Sequence, residues 1–153
     1  MATKPRCYVA SPLGFTEAGR VYYRKVFLPA LAAVVEPIDP WAYLGDVESV
    51  AVSESLDKET ARAIGERNAA AIRSASLLAA YLDGQEVDSG TAAEVGYAAA
   101  LPIPCFGLRT DVRQSGEAGL SVNLQVFAFI TGSGGRIVQS LEDLVDALSE
   151  AAS

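Results

Sequence analysis

Four carboxylates fall within one short stretch of this chain, Tyr81-Leu-Asp83-Gly-Gln-Glu86-Val-Asp88-Ser-Gly-Thr91-Ala-Ala-Glu94-Val-Gly-Tyr97. Asp88 stands just before a glycine turn, and Glu94 falls in the first turn of the helix expected to follow. That spacing brings a loop carboxylate and a helix carboxylate close together at one end of a strand. Two such groups can take separate acid, base or nucleophile roles when their environments push their pKa values apart. The chain has no histidine. Ser-His-Asp and Cys-His catalysis within the chain are therefore excluded, as are the usual histidine-based zinc sites. Chemistry here must rest on carboxylates, amides, hydroxyls or tyrosines. A plain structural reading competes. Thr91-Ala-Ala-Glu94 is a good capping box, and a glutamate there complements the helix dipole. Asp83-Gly84 and Asp88-Ser-Gly90 also suit ordinary turns.

The elements that must position these residues can be read along the chain. Residues 6–11 form a first strand, ended by Pro12-Leu-Gly14. A helix runs from Thr16-Glu17 to about Val34, with Tyr23, Phe27, Leu28 and Leu31 at helical spacing and Pro29 as a kink or break. A short second strand covers residues 34–38. Residues 42–56 are expected to be a short helix or an irregular lid. Helices are expected over 57–74, 91–101 and 140–151, and buried apolar strands over 77–82 and 103–108. Residues 109–122 read as a loop, residues 123–130 suit either helix or strand, and a short strand covers 136–138. Strands alternating with helices imply an α/β fold: one domain over residues 1–153, doubly wound, with a mostly parallel five-stranded sheet flanked by helices, flavodoxin- or Rossmann-like. In such sheets ligands sit at the carboxyl ends of the strands. Ser11 to Phe15, Asp83 to Thr91 and Arg109 to Asn123 follow strands and should converge on one crevice.

The bulk properties narrow the partners. A formal charge of −7 and a pI near 4.5 disfavour a nucleic-acid polymer as ligand. Half the residues are hydrophobic, which suits a globular chain. Cys7 and Cys105 each sit in an apolar run and read as buried free thiols. No stretch of about 18 apolar residues occurs, and Met1 to Arg6 lacks the apolar core of a signal peptide. A cytoplasmic protein without membrane contact is expected, with no metal site and no cofactor.

Asp88-Ser-Gly-Thr-Ala-Ala-Glu94-Val-Gly-Tyr-Ala resembles the D-x-G-T-A-x-E-[LIV]-G-x-A signature of the nucleoside 2-deoxyribosyltransferase family. Other pieces match in order: Tyr8-Val-Ala-Ser-Pro-Leu-Gly-Phe15, Asn68-Ala-Ala-Ala-Ile72 followed by Leu77-Leu78, Thr110-Asp111-Val-Arg113, and Asn123-Leu124. The resemblance covers about residues 7–130. It implies nucleobase exchange between 2′-deoxynucleosides and free bases, a salvage reaction. Glu94 would attack the anomeric carbon and form a deoxyribosyl ester, while Asp88 holds the departing base and helps protonate it. This parallels a retaining glycosidase. Glu94 is expected to stay ionised at a helix N-terminus. Tyr8 would orient Glu94. Asn68, Phe15, Gly90 and Asp83 would complete the substrate-binding set, although Asp83 reads better as a turn residue than as a ligand contact. Phe15 and Trp41 would wall the base. Asn123 resembles the asparagine that reaches a neighbouring subunit's sugar, which implies a homo-oligomer. The family often ends in an aromatic residue that helps a neighbouring site, whereas this sequence ends Glu150-Ala-Ala-Ser153.

Two rivals remain at this stage. A 5′-monophosphate N-glycosidase of the same superfamily would give the same ester to water. It should carry phosphate-binding groups near the first loop, where Ser11 and Gly14 are present but no arginine accompanies them until Arg20. A non-catalytic nucleotide-binding module on the same fold is the other. Ser11 to Phe15 lacks the G-x-G-x-x-G of a dinucleotide site, and no P-loop lysine pattern appears.

Overall fold

The computed structural model describes residues 3–44 and 56–153. The expectation of a short helix or lid over residues 42–56 therefore lies mostly outside the described residues. Five strands form one parallel sheet: β1 (Arg6–Ala10), β2 (Glu36–Ile38), β3 (Leu77–Tyr81), β4 (Cys105–Leu108) and β5 (Ile137–Val138). Their spatial order is β2-β1-β3-β4-β5. The chain moves one way from β1 to β2, then crosses back to place β3 on the other side of β1. The order of strand addition thus reverses between β1 and β3, and the crevice of such a fold opens there.

Alternation along the strands divides the core into two layers. Tyr8, Ala10, Leu78, Ala80 and Cys105 face one side, under α3 (Lys58–Arg73), α4 (Ser89–Ala100) and α5 (Leu124–Gly132). Cys7, Val9, Leu77, Ala79 and Phe106 face the other, under the first helix and α6 (Leu141–Ala151). Both cysteines are buried free thiols, as their apolar settings suggest.

Pro29 does not end the first helix. The segment α1 (Glu17–Tyr22) passes through a π-turn over Tyr23–Phe27 and resumes as α2 (Leu28–Ala32). Proline has no N–H to give, and its ring crowds the carbonyl one turn back. The wider turn just before it accommodates both, with the Leu28 N–H reaching back to the Tyr23 carbonyl. Tyr23, Phe27 and Leu31 all stay buried as a result.

Two further differences matter for the site. Residues 123–130 resolve as helix: Asn123 caps α5 by accepting from the Gln125 N–H at 2.9 Å, and Val126 and Ile130, four apart, are its buried positions. Helix α4 starts at Ser89, two residues before the expected Thr91, because Asp88 takes the N-cap. A carboxylate is the better cap, and it moves Glu94 out of the first turn into the second. The capping box does not form.

Candidate active site

Glu94 and Tyr8 meet across the point where the strand order reverses. Tyr8 lies on β1 with no exposed surface, and its hydroxyl donates to Glu94 Oε1 at 2.6 Å. Freed from capping, the glutamate meets the Tyr8 hydroxyl of β1 and not the backbone of its own helix. Burial pushes the Glu94 carboxyl up from 4.5 to about 7. The Tyr8 hydrogen bond opposes that rise, and the nearby charge of Asp88 adds to it. The helix N-terminus expected to favour ionised Glu94 does less than burial, which works against that charge. Glu94 sits a turn too deep for the dipole, and desolvation dominates. Burial, together with the charge of Glu94, drives the Tyr8 phenol well above its ordinary value, so it remains a donor.

Asp88 spends one oxygen on structure. Its Oδ2 accepts from the Thr91 N–H at 2.9 Å and the Thr91 hydroxyl at 3.2 Å. Both bonds fall on the same atom, which leaves Oδ1 for a ligand. Gly90 follows at the second helical position, where an added Cβ would lie 3.2 Å from Asp88 Oδ2. Its bareness keeps the carboxylate uncrowded.

An aromatic corner stands beside β1. The Trp41 indole donates to the Ser11 carbonyl at 3.0 Å and meets Phe15 edge-to-face at 4.8 Å between ring centroids. Phe15 is 61% exposed, which leaves most of its ring for a ligand. Gly14 has to be glycine here, because a Cβ would fall 2.3 Å from the Trp41 ring. Sequence reasoning missed what pins this corner. Asp39 Oδ1 accepts from the Trp41 N–H at 2.9 Å and from the Tyr23 hydroxyl at 2.8 Å. A buried tyrosine on the first helix was its available signal. Gly14, Tyr23, Asp39 and Trp41 line a cleft of about 240 Å³ together with Arg20 and Arg24. Arg20, distant from the first loop in sequence, donates to the Gly14 carbonyl at 3.2 Å.

The remaining candidates are more dispersed. Asn68 is half-buried on α3, one turn before the buried Ile72 and so on the same, sheet-facing side. Asn123 is exposed at the start of α5, and its amide N–H₂ lies 3.5 Å from Glu117 Oε1. Asp83 is engaged by the neighbouring loop: its Oδ1 accepts from the Thr110 N–H at 2.6 Å and the Asp111 N–H at 2.9 Å, and its Oδ2 from the Thr110 hydroxyl. Among the described residues no histidine, cysteine, aspartate and glutamate side chains cluster to hold a metal ion, and no helix is long and apolar enough to cross a membrane.

Comparison with known proteins agrees with this geometry. A crystal structure of a conserved protein from Enterococcus faecalis V583 superposes with a TM-score of 0.74 at 27% identity, covering 97% of this chain and 99% of that one. A 2-desoxiribosyltransferase from Leishmania mexicana superposes with a TM-score of 0.69 at 24% identity over 95% and 97% of the two chains. A CMP N-glycosidase from Clostridium botulinum shares the fold with a TM-score of 0.57 at 15% identity, over 95% and 98%. No curated protein sequence matches the chain. Residues 7–129 match the family model of nucleoside 2-deoxyribosyltransferase, a span that takes in β1, Tyr8, Asp88, Glu94 and Asn123. The chain belongs to the nucleoside 2-deoxyribosyltransferase family.

Proposed function

We propose that this protein exchanges the nucleobase of 2′-deoxynucleosides through a deoxyribosyl ester on Glu94. One observation carries the reading: the 2.6 Å bond from Tyr8 to Glu94 at the reversal of the strand order. It leaves Glu94 Oε2 as the nucleophilic oxygen and fixes its direction. In the first half-reaction Oε2 bonds to C1′ and the C1′–N bond breaks with its electron pair going to the base. Asp88 Oδ1 delivers a proton to that base. In the second, the incoming base attacks C1′, its proton returns to Asp88, and the ester bond to Glu94 breaks. Two inversions give net retention. The step needs Glu94 ionised when it attacks and a proton available to the leaving base through Asp88 Oδ1. Phe15 and Trp41 wall the base, and Asn68 contacts the sugar or base edge.

The protein acts as a homo-oligomer, with Asn123 reaching a neighbouring sugar. Supporting this, Leu124 and Phe127, three apart on α5 and next to Asn123, are exposed apolar side chains on one face of the helix. The test is incubation of 2′-deoxyinosine with adenine, followed by chromatography, with mass spectrometry for the ester. Formation of 2′-deoxyadenosine by the wild type and not by Glu94→Gln supports the reading. Release of free base and deoxyribose alone refutes transfer.

A second reading has one observation in its favour. Arg20 and Arg24 line the cleft beside the first loop, where a phosphorylated donor would find cations. A 5′-monophosphate N-glycosidase would then use the same glutamate and give the ester to water. Cleavage of a 2′-deoxynucleoside 5′-monophosphate, with no base exchange, selects it.

A further inference from the structure

Arg109 is a buried charge that hydrogen-bonds no carboxylate, although Asp111 lies close enough to feel it. It follows β4 directly, is 2% exposed, and its backbone N–H still pairs with the Val138 carbonyl at 2.9 Å. Its guanidinium faces only neutral acceptors. Nη1 donates to the carbonyls of Leu82 at 2.6 Å and Gly84 at 2.8 Å. Nη2 donates to the Arg113 carbonyl at 2.9 Å and to Ser115 Oγ at 3.3 Å. Nε is buried with no partner. Burying a guanidinium that hydrogen-bonds no carboxylate is costly, and packing alone would be served better by an aliphatic side chain. What the planar fork supplies is direction: one nitrogen grips the loop after β3, the other the loop after β4.

The grip is reciprocal. Asp83, between the two carbonyls that Arg109 holds, accepts from the backbone of Thr110 and Asp111 in the opposite loop. Gly84, at φ +139°, adopts a backbone that side-chain-bearing residues rarely take, so the chain turns sharply at the clamped carbonyl. The loop then runs only four residues to Asp88. From the geometry we infer that Arg109 is a positioning residue for Asp88, setting where the acid that protonates the leaving base stands. The inference rests on the proposed role of Asp88. Arg109 touches no reacting atom; it acts through the 82–88 loop.

A residue that only supports the fold would slow every donor alike, whereas one that aims an acid matters only when the base needs a proton. The experiment compares 2′-deoxyinosine with N7-methyl-2′-deoxyguanosine, whose cationic base leaves unaided, both at pH 6. Arg109→Lys keeps the charge and loses the fork. Its kcat ratio between the two donors should fall at least tenfold relative to wild type. Backbone amide hydrogen exchange at Thr91, Thr110 and Asp111 should accelerate in the same variant. Ser115→Ala removes a single acceptor and shows the same signs more weakly; it serves if the lysine variant does not fold. Equal loss on both donors overturns the inference, as does unchanged exchange at Thr91. If wild type turns over neither donor, the proposed function fails. Exchange at Thr91 in Arg109→Lys then decides whether the clamp reaches Asp88: acceleration upholds it, and no change overturns it.

Discussion

Replacing Glu94 with glutamine should kill the activity and strengthen the fold, and the strengthening should appear only above pH 5. The Glu94 carboxyl is raised from 4.5 to about 7 in the folded protein. Between those values the native state keeps a proton that the unfolded chain has lost. Stability therefore falls as pH rises through this window, at about 1.4 kcal/mol per pH unit for one proton. The accumulated penalty at pH 8 and above is about 3 kcal/mol. Glutamine is nearly isosteric, has no proton to lose, and still offers an oxygen to the Tyr8 hydroxyl. Below pH 4.5 the two proteins should differ by under about 1 kcal/mol, the scale of one neutral hydrogen bond. At pH 8.5 the variant should be more stable by about 3 kcal/mol. Urea unfolding at pH 4.5 and 8.5 measures this, at one fixed protomer concentration because the proposed assembly would also add to stability. Groups not coupled to Glu94 are common to both proteins and cancel in the difference. A gap that does not widen with pH would refute the reasoning: the fold would then not resist ionisation of Glu94.

Further outcomes follow from the same geometry. If the reactive state holds one proton on the Glu94–Asp88 pair, kcat/KM for 2′-deoxyinosine should fall above about pH 7, tenfold per unit, as that proton leaves. A limb that falls only on the acid side contradicts a loaded Asp88. Tyr8→Phe removes the bond that favours ionised Glu94. A hydrogen bond to a charged group contributes about 1.5–3 kcal/mol, so the limb should move up by a unit or more and kcat should drop at least tenfold; an unmoved limb argues against the contact. In Gly14→Ala the new methyl collides with the indole of Trp41, the only tryptophan. Its fluorescence should shift to the red and KM for the donor should rise several-fold, whereas an unchanged spectrum means that the ring does not pack there. Mixing inactive Asn123→Ala with inactive Glu94→Gln protein should restore activity, because a mixed dimer holds one site with both native groups. No recovery after subunit exchange, checked by sedimentation, means that Asn123 does not act across subunits.

The sheet was legible because its strands are continuous apolar runs between turn residues, and Leu77–Tyr81 and Cys105–Leu108 have no helical period to confuse them. Less legible was any choice between two local partners. Thr91 and Asp88 both suit an N-cap, and the three-residue spacing from Thr91 to Glu94 favoured the capping box. Selection of Asp88 as cap depends on the Thr91 N–H finding it at 2.9 Å, while Glu94 finds Tyr8, 86 positions away. Propensity has no means of weighing a bond that distant. Arg109 was passed over for the opposite reason. An arginine opening a polar loop looks solvated, and only the convergence of two loops around it encloses the guanidinium.

The displaced helix start also explains how one short segment serves two kinds of carboxylate. Had Thr91 been the cap, Glu94 would have turned back to the helix backbone and been stabilised as an anion near the dipole. With Asp88 as cap, the roles separate by position. Asp88 stays at the rim, with one oxygen holding the helix and the other open. Glu94 moves one turn inward, where burial raises its proton affinity and Tyr8 alone counters it. A nucleophile whose charge is resisted by its surroundings loses less on forming a neutral ester than one well solvated as an anion. The same burial that should weaken the fold at high pH would therefore favour the proposed ester at C1′.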